Sequence, residues 1–335
     1  MKKIERKSLK RREFLKRSAA GLAFLPTLRI SSLLKEKGGE MAEVALIKTS
    51  ERTIGVRESM SLLNFPEMEG KNVFLKPNFN TADPCPGSTH HDTLSQLVKE
   101  IHGRGAREVI VGERSGPPET EKVMKEKGVF QLSQDLDFKI LNFEKIEEED
   151  WAHFDPEGNH WENGFSIARA AAEAEYFIST CCLKTHQYGG IFTMSLKLSV
   201  GLTPKNLMRE LHGKRTTDMR KMIAEINQAY STDLIILDGI EAFVDEGPMS
   251  GPRKRSDVFL ASSDRIALDA AGLAVLKELG SNAAIMETKI FKQEQIQRAV
   301  ELNLGVTSPQ QIEFVTPDRP SRQYADKLKA ILALG

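Results

Sequence analysis

From Glu43 onward the chain alternates short apolar, β-rich runs with longer helical patterns, and this constrains the fold more than any other feature. Candidate strands lie at residues 44–48, 73–76, 108–111, 138–142, 176–180, 234–237 and 258–261. Helical patterns fall between them, at 93–104, 119–127, 165–174, 218–230 and 264–279. Parallel strands need a crossover connection, and a helix is the usual one. The alternation therefore predicts an α/β fold: a mainly parallel sheet with helices on both faces. Asp92 before Thr93, and Asp264 before its apolar run, are placed as helix N-caps. The stretch Glu144–Asp150 and the segment Trp151–Asn163 interrupt the pattern and read as a surface excursion, with His153 and His160 solvated. The tail from Asn282 reads as helices packed on the sheet edge.

Residues 1–40 stand apart from this pattern. Arg11 and Arg12 are followed by Phe14-Leu15, then Lys16, then an apolar run from Ser18 to Leu28. The order resembles a twin-arginine export signal, and the run is too short to span a bilayer as a helix. The competing reading is a basic amphipathic helix on the mature surface. A signal of this type implies the twin-arginine translocation machinery as a partner and a periplasmic or cell-envelope location. Residues 41–335 are then one α/β domain, with residues 281–335 as a helical extension.

Composition excludes several classes of function. Lys plus Arg and Asp plus Glu both number 47 in 335 residues, which argues against a nucleic-acid binder driven by counterion release. Three cysteines, Cys85, Cys181 and Cys182, cannot build a disulfide scaffold or a self-contained four-cysteine iron–sulfur site. Adjacent Cys181 and Cys182 read as strand-end packing, with metal or redox work by Cys182 as the sharper alternative. Neither a Walker loop nor a GxGxxG turn is present.

Four segments can carry chemistry. Lys76-Pro77-Asn78 closes one candidate strand and leads to Gly87-Ser88-Thr89-His90-His91, just before a helix start where free amide N–H groups attract anions. Lys76, Asn78, Thr89 and His91 are the candidate substrate-binding residues there, against a bland reading as a rigid, capped loop. Gly112–Pro117 follows a strand as a site rim or a structural turn, the turn being the simpler view. Between residues 184 and 212, Lys184, His186, Lys197 and His212 surround a glycine-rich loop. Buried lysine can act as base or nucleophile, and histidine can move protons or ligate a metal. His186 and His212 are the candidate ligands for a divalent metal. The fourth segment opens with Asp238, just after the apolar run 234–237, at a position suited to a ligand or an acid–base group, and Glu246–Pro252 follows it. Asp264 reads as a cap; Asp269 is open to either role.

Lys-Pro-Asn at 76–78, Gly-Ser-Thr at 87–89, Leu-Lys-Thr-His at 183–186, Lys197, Gly201, Asp-Gly at 238–239, Gly-Pro-Met-Ser-Gly at 247–251 and Ser-Ser-Asp-Arg-Ile-Ala-Leu-Asp at 262–269 occur in one order. Taken together they resemble the domain-of-unknown-function 362 (DUF362) family, over residues 44–280. Some members of that family carry an iron–sulfur module, whose cysteines this chain lacks. Gly189, Lys197, Gly201 and His212 bear a fainter resemblance to the nickel-pincer lactate racemases.

The expectation is an exported enzyme acting on a small anionic ligand, metal-assisted or not. Lys184, His186, Lys197, His212 and Asp238 are its catalytic candidates. The alternatives are a non-catalytic ligand- or cofactor-binding protein of the cell envelope and an accessory partner of a redox system. Oligomeric state is not legible in the sequence.

Overall fold

The computed structural model of the protein describes residues 41–213 and 216–335, so the twin-arginine pattern lies outside the described residues. Its strands are β1 (Ala42–Lys48), β2 (Asn72–Lys76), β3 (Glu108–Glu113), β4 (Lys139–Asn142), β5 (Trp151–Phe154) and β6 (Phe165–Ala168). They continue with β7 (Tyr176–His186), β8 (Ile191–Thr193), β9 (Leu234–Phe243), β10 (Arg253–Ser262) and β11 (Ile312–Val315). The main sheet runs β11-β1-β10-β9-β7-β2-β3-β4, with β8 paired to β7; β5 and β6 form a separate antiparallel pair. The pairs β1–β11, β2–β3, β2–β7, β3–β4 and β7–β9 are parallel, while β10 runs against both its neighbours. The mainly parallel α/β sheet expected from the alternation is the fold observed.

Side-chain alternation explains the layers. Val73 and Leu75 of β2 point into one cluster with Tyr176 and Ile178 of β7, covered by the helices Arg52–Leu62 and His91–Gly103. Between them Phe74 points to the opposite face, where its ring stacks on Phe177 at 5.3 Å between centroids. That face is closed by the helix Met219–Ile226 and, beyond β9, by the almost wholly buried helix Arg265–Leu279. Every residue of β7 is buried, as a central strand covered on both faces requires.

Several elements depart from the sequence reading. β7, β9 and β10 each run well past their apolar cores, so Lys184 and His186 sit inside a strand and not in a loop after it. The helix expected over 165–174 is strand β6 followed by the short helix Arg169–Ala172, because Phe165 and Ile167 alternate into the aromatic cluster. The helix expected from Thr93 begins at His91, with the His90 side chain as its cap. Asp264 caps its helix as expected, accepting from the N–H groups of Ile266 and Ala267 at 2.8 and 2.9 Å. The tail contributes β11 as well as helices. His153 is exposed as expected, but His160 is tied by Nδ1 to the buried carboxylate of Glu225 at 2.5 Å. Cys85, Cys181 and Cys182 are free and buried. Among the described residues no helix is long and apolar enough to cross a membrane.

Strand order also marks a place on the sheet. From β2 the chain moves through β3 to β4 toward one edge, whereas β7 lies on the other side of β2 and leads through β9 the opposite way. The crossover helices consequently cover opposite faces on either side of the β2–β7 boundary. A crevice opens beyond the carboxyl ends of such a pair, the standard ligand position of an open α/β sheet.

Candidate active site

Lys76 ends β2, Glu113 ends β3, and Lys184 and His186 end β7, so strand order alone brings these four to the crevice. They line a cavity of about 60 Å³ together with Asn78, Arg114, Thr193 and Lys197. On this measure a water needs roughly 10–15 Å³, so the space suits a group of a few heavy atoms.

The ionisable side chains of the wall are mostly basic. Lys76 Nζ donates to Glu113 Oε1 at 2.5 Å and to the Pro77 carbonyl at 2.6 Å. The other oxygen of Glu113 accepts from Phe79 N–H at 2.7 Å, which ties the loop after β2 to the end of β3. Burial draws both members of this ion pair toward neutrality, and their mutual attraction opposes it. Arg114 is committed to backbone oxygens: Nε donates to Thr203 O at 2.9 Å, and Nη2 donates to Val200 O. Lys184 is fully buried and donates to Gly87 O at 2.5 Å. One carboxylate therefore faces four basic side chains, and it is bonded to one of them.

Lys197 differs from the other three. It sits on the short helix Ser195–Leu198, and no hydrogen bond or ion pair joins its amine to another described residue. That helix is pinned by Asp269, whose two oxygens accept from the N–H groups of Ser195 and Leu196 at 2.8 and 3.0 Å. Asp269 is thus a positioning residue for the segment that carries Lys197. Burial, then the charges of Lys184 and Arg114, lowers the Lys197 pKa to about 7.

His186 is held neutral. Burial first, then Lys197, His212 and Lys184, lowers its pKa to about 2. Its Nδ1 accepts from Gly190 N–H at 3.2 Å, so the hydrogen of the neutral ring sits on Nε2 and is available to donate. The tight β7–β8 turn that makes this bond places Ile191 at φ 66°, a strained conformation for a β-branched residue and one that recurs beside functional sites. Tyr188, half exposed, stands edge-on to the His186 ring on the same turn. Two glycines are needed for clearance. A Cβ at Gly190 would come within 2.9 Å of His186 Nδ1, and one at Gly201 within 2.9 Å of both Lys76 Nζ and Glu113 Oε1.

The structure brings together Lys76, Asn78, Lys184, His186 and Lys197 of the expected residues, and leaves four outside the lining. Asp238 is buried, but its carboxylate is occupied by Arg52 Nε at 2.7 Å and Thr93 Oγ1 at 3.0 Å, where it anchors two helices to β9. Thr89 braces the loop, its hydroxyl accepting from Asn78 N–H at 2.8 Å. His91 is exposed on the first turn of its helix. His212 is exposed at the end of the short helix Met208–Leu211, near enough to feel Lys197 and Arg114. Glu113, Arg114 and Thr193 were not singled out in the sequence; Gly112–Pro117 read more simply as a turn. The usable signal there was a charged pair closing an apolar strand.

The expected metal finds no fitting donors. Among the described residues no group of three or more His, Cys, Asp or Glu side chains is placed to hold an ion. His186 already lends Nδ1 to a backbone donor, and its surroundings are cationic.

Residues 73–274 match the family described as Domain of unknown function (DUF362). The chain belongs to this family. A thylakoid-associated protein of a Synechocystis strain is 30% identical over 209 residues, which are 60% of this chain and 61% of that relative. The chain thus spans about three fifths of the length of the curated relative it matches. Among solved structures, the lactate racemase apoprotein of Thermoanaerobacterium thermosaccharolyticum superposes with a TM-score of 0.45 and 12% identity, covering 88% of this chain and 87% of that one.

Proposed function

We propose that this DUF362 protein is an enzyme whose cleft, between the ends of β2 and β7, binds a small anionic substrate bearing a carboxylate or phosphate. Lys197 is its reactive group. The observation that carries this reading is a buried lysine with no partner among the described residues, in a cavity whose single carboxylate is already bonded to Lys76. Placement at the strand-order reversal supports it independently.

Catalysis explains the arrangement better than capture alone. A site that only holds an anion gains from charged lysines, and burial works against that charge at both Lys184 and Lys197; what separates them is that Lys184 is bonded to Gly87 O. Lys197 is pressed toward its neutral form, the form that can accept a proton or attack an electrophile. His186 Nε2–H, neutral and unable to take up a proton near pH 7, serves as a hydrogen-bond donor to the substrate.

Calorimetric titration of the full chain with acetate and with inorganic phosphate tests the anion site. At least one of them is expected to bind one to one, with affinity reduced by about tenfold or more in Lys184→Met, the loss of one charge-assisted hydrogen bond. Absence of binding by both anions, or unchanged binding in the variant, counts against the reading. The protein is exported through the twin-arginine pattern of Arg11 and Arg12 on this reading. Cell fractionation after replacing both by lysine should find the protein retained inside the cell, and unaltered export would refute that part.

A further inference from the structure

The groups left unsatisfied in the cavity differ in kind, and that difference points to a substrate class. Lys197 Nζ has no partner among the described residues, and Thr193 Oγ1 is buried without a hydrogen bond. Asn78 Nδ2 finds only the Cys182 sulfur, a weak acceptor. His186 Nε2–H is unspent because Nδ1 takes the backbone donor. A simple anion would satisfy the amide and the cations and draw a proton onto Lys197, leaving the nucleophilic form of the amine unused. A carbonyl next to the anionic group uses all of them.

Resting on the anion-site reading above, we infer that Lys197 is a nucleophile that forms an imine with a short 2-oxo acid. The carboxylate of the acid lies with Lys184 and Asn78, and its carbonyl oxygen faces His186 and Thr193. Lys76 and Lys184 are poorer nucleophiles, since the first is bonded to Glu113 and Pro77 O and the second to Gly87 O. Buried lysines set beside a second cation are a known way to make an amine reactive at neutral pH.

The step balances without an oxidant or reductant. The Nζ lone pair forms the C–N bond while the carbonyl π pair moves onto oxygen, polarised by His186 Nε2–H. The Thr193 hydroxyl, donor and acceptor at once, passes hydrogen from nitrogen to that oxygen. The oxygen then leaves as water with both hydrogens of the neutral amine, and a C=N bond remains. A cavity of about 60 Å³ admits an acid of two or three carbons, by the roughly 10–15 Å³ needed per water-sized atom.

Trapping tests this with the full chain. The protein is incubated with glyoxylate or pyruvate and cyanoborohydride, which reduces imines and spares free carbonyls, and is then weighed intact and mapped by peptide. One added carboxyalkyl group on Lys197 is expected, at least tenfold above any other lysine, suppressed by excess acetate and lost after unfolding in urea. Lys197→Arg removes it. The suppression by acetate in the native chain keeps the test independent of how that variant folds. Acetate binding without an adduct would overturn the imine and leave the anion site standing. Labelling spread equally over surface lysines, or the same before and after unfolding, would also overturn it. Failure of both binding and labelling would remove the anion-site reading together with this one.

Discussion

Replacing Lys197 by methionine is expected to stabilise the protein while destroying its reactive site. The lysine has a folded-state pKa of about 7, against roughly 10.4 in an unfolded chain. Between these two values the unfolded state holds the extra proton, so the wild-type fold gains stability as pH rises through that window. Below about pH 7 the full cost of burying the charge is present, on the order of 5 kcal/mol at roughly 1.36 kcal/mol per pH unit. Methionine fills nearly the same space with no charge to bury. Urea unfolding at about pH 6, 8 and 10 should therefore show a variant several kcal/mol more stable at the lowest pH, with the difference shrinking upward and almost gone at the highest. Equal or lower stability at the lowest pH would mean that Lys197 is solvated or paired in solution. A stability cost of this kind is what a site tuned for reactivity carries.

Glu113→Ala is expected to act in the other direction. It strips the one carboxylate from a fully buried lysine, and it also leaves the Phe79 and Arg114 N–H groups without their acceptor. Breaking a buried pair from one side costs about 3–5 kcal/mol, much of it the stranded charge of the surviving partner. Glu113→Gln keeps an acceptor for one of the two amides and should lose less. The midpoint of urea unfolding near neutral pH measures both. A loss under about 1 kcal/mol for the alanine variant would show that Lys76 reaches water once Glu113 is gone, and that the cavity is wetter than its walls imply.

Glu113 and Asp238 show where sequence reasoning stops. Each follows an apolar run and looks like an acid at the end of a strand. Glu113 does end β3, beside β2, and so meets Lys76 at the strand-order reversal. Asp238 falls in the middle of β9, which runs on to Phe243 because β10 pairs along it, and there the helix Arg52–Leu62 brings Arg52 onto its carboxylate. Their local patterns are alike; strand order and a partner nearly two hundred residues away separate them. The α/β class was legible because period and crossover length are local properties. The grouping of Lys184, His186 and Lys197 was legible because β7, β8 and the helix after them are consecutive in the chain. Arg114 and Thr193 were not, since one is defined by carbonyls of residues 200 and 203 and the other by the absence of a partner. His212 drew notice for its spacing, but the short helix before it ends at the surface and carries the ring out of the lining.

The most direct test of the account is the number of protons taken up when acetate enters the cleft. Calorimetric titration at about pH 8 in two buffers of different ionisation enthalpy measures it. An anion bound beside Lys197 favours the charged amine and raises its pKa from about 7, so the complex should absorb a substantial fraction of one proton. That uptake should vanish in Lys197→Met. Binding with no proton uptake, or with the same uptake in the variant, would contradict the claim that a neutral, unpartnered lysine faces the anion at the junction of β2 and β7.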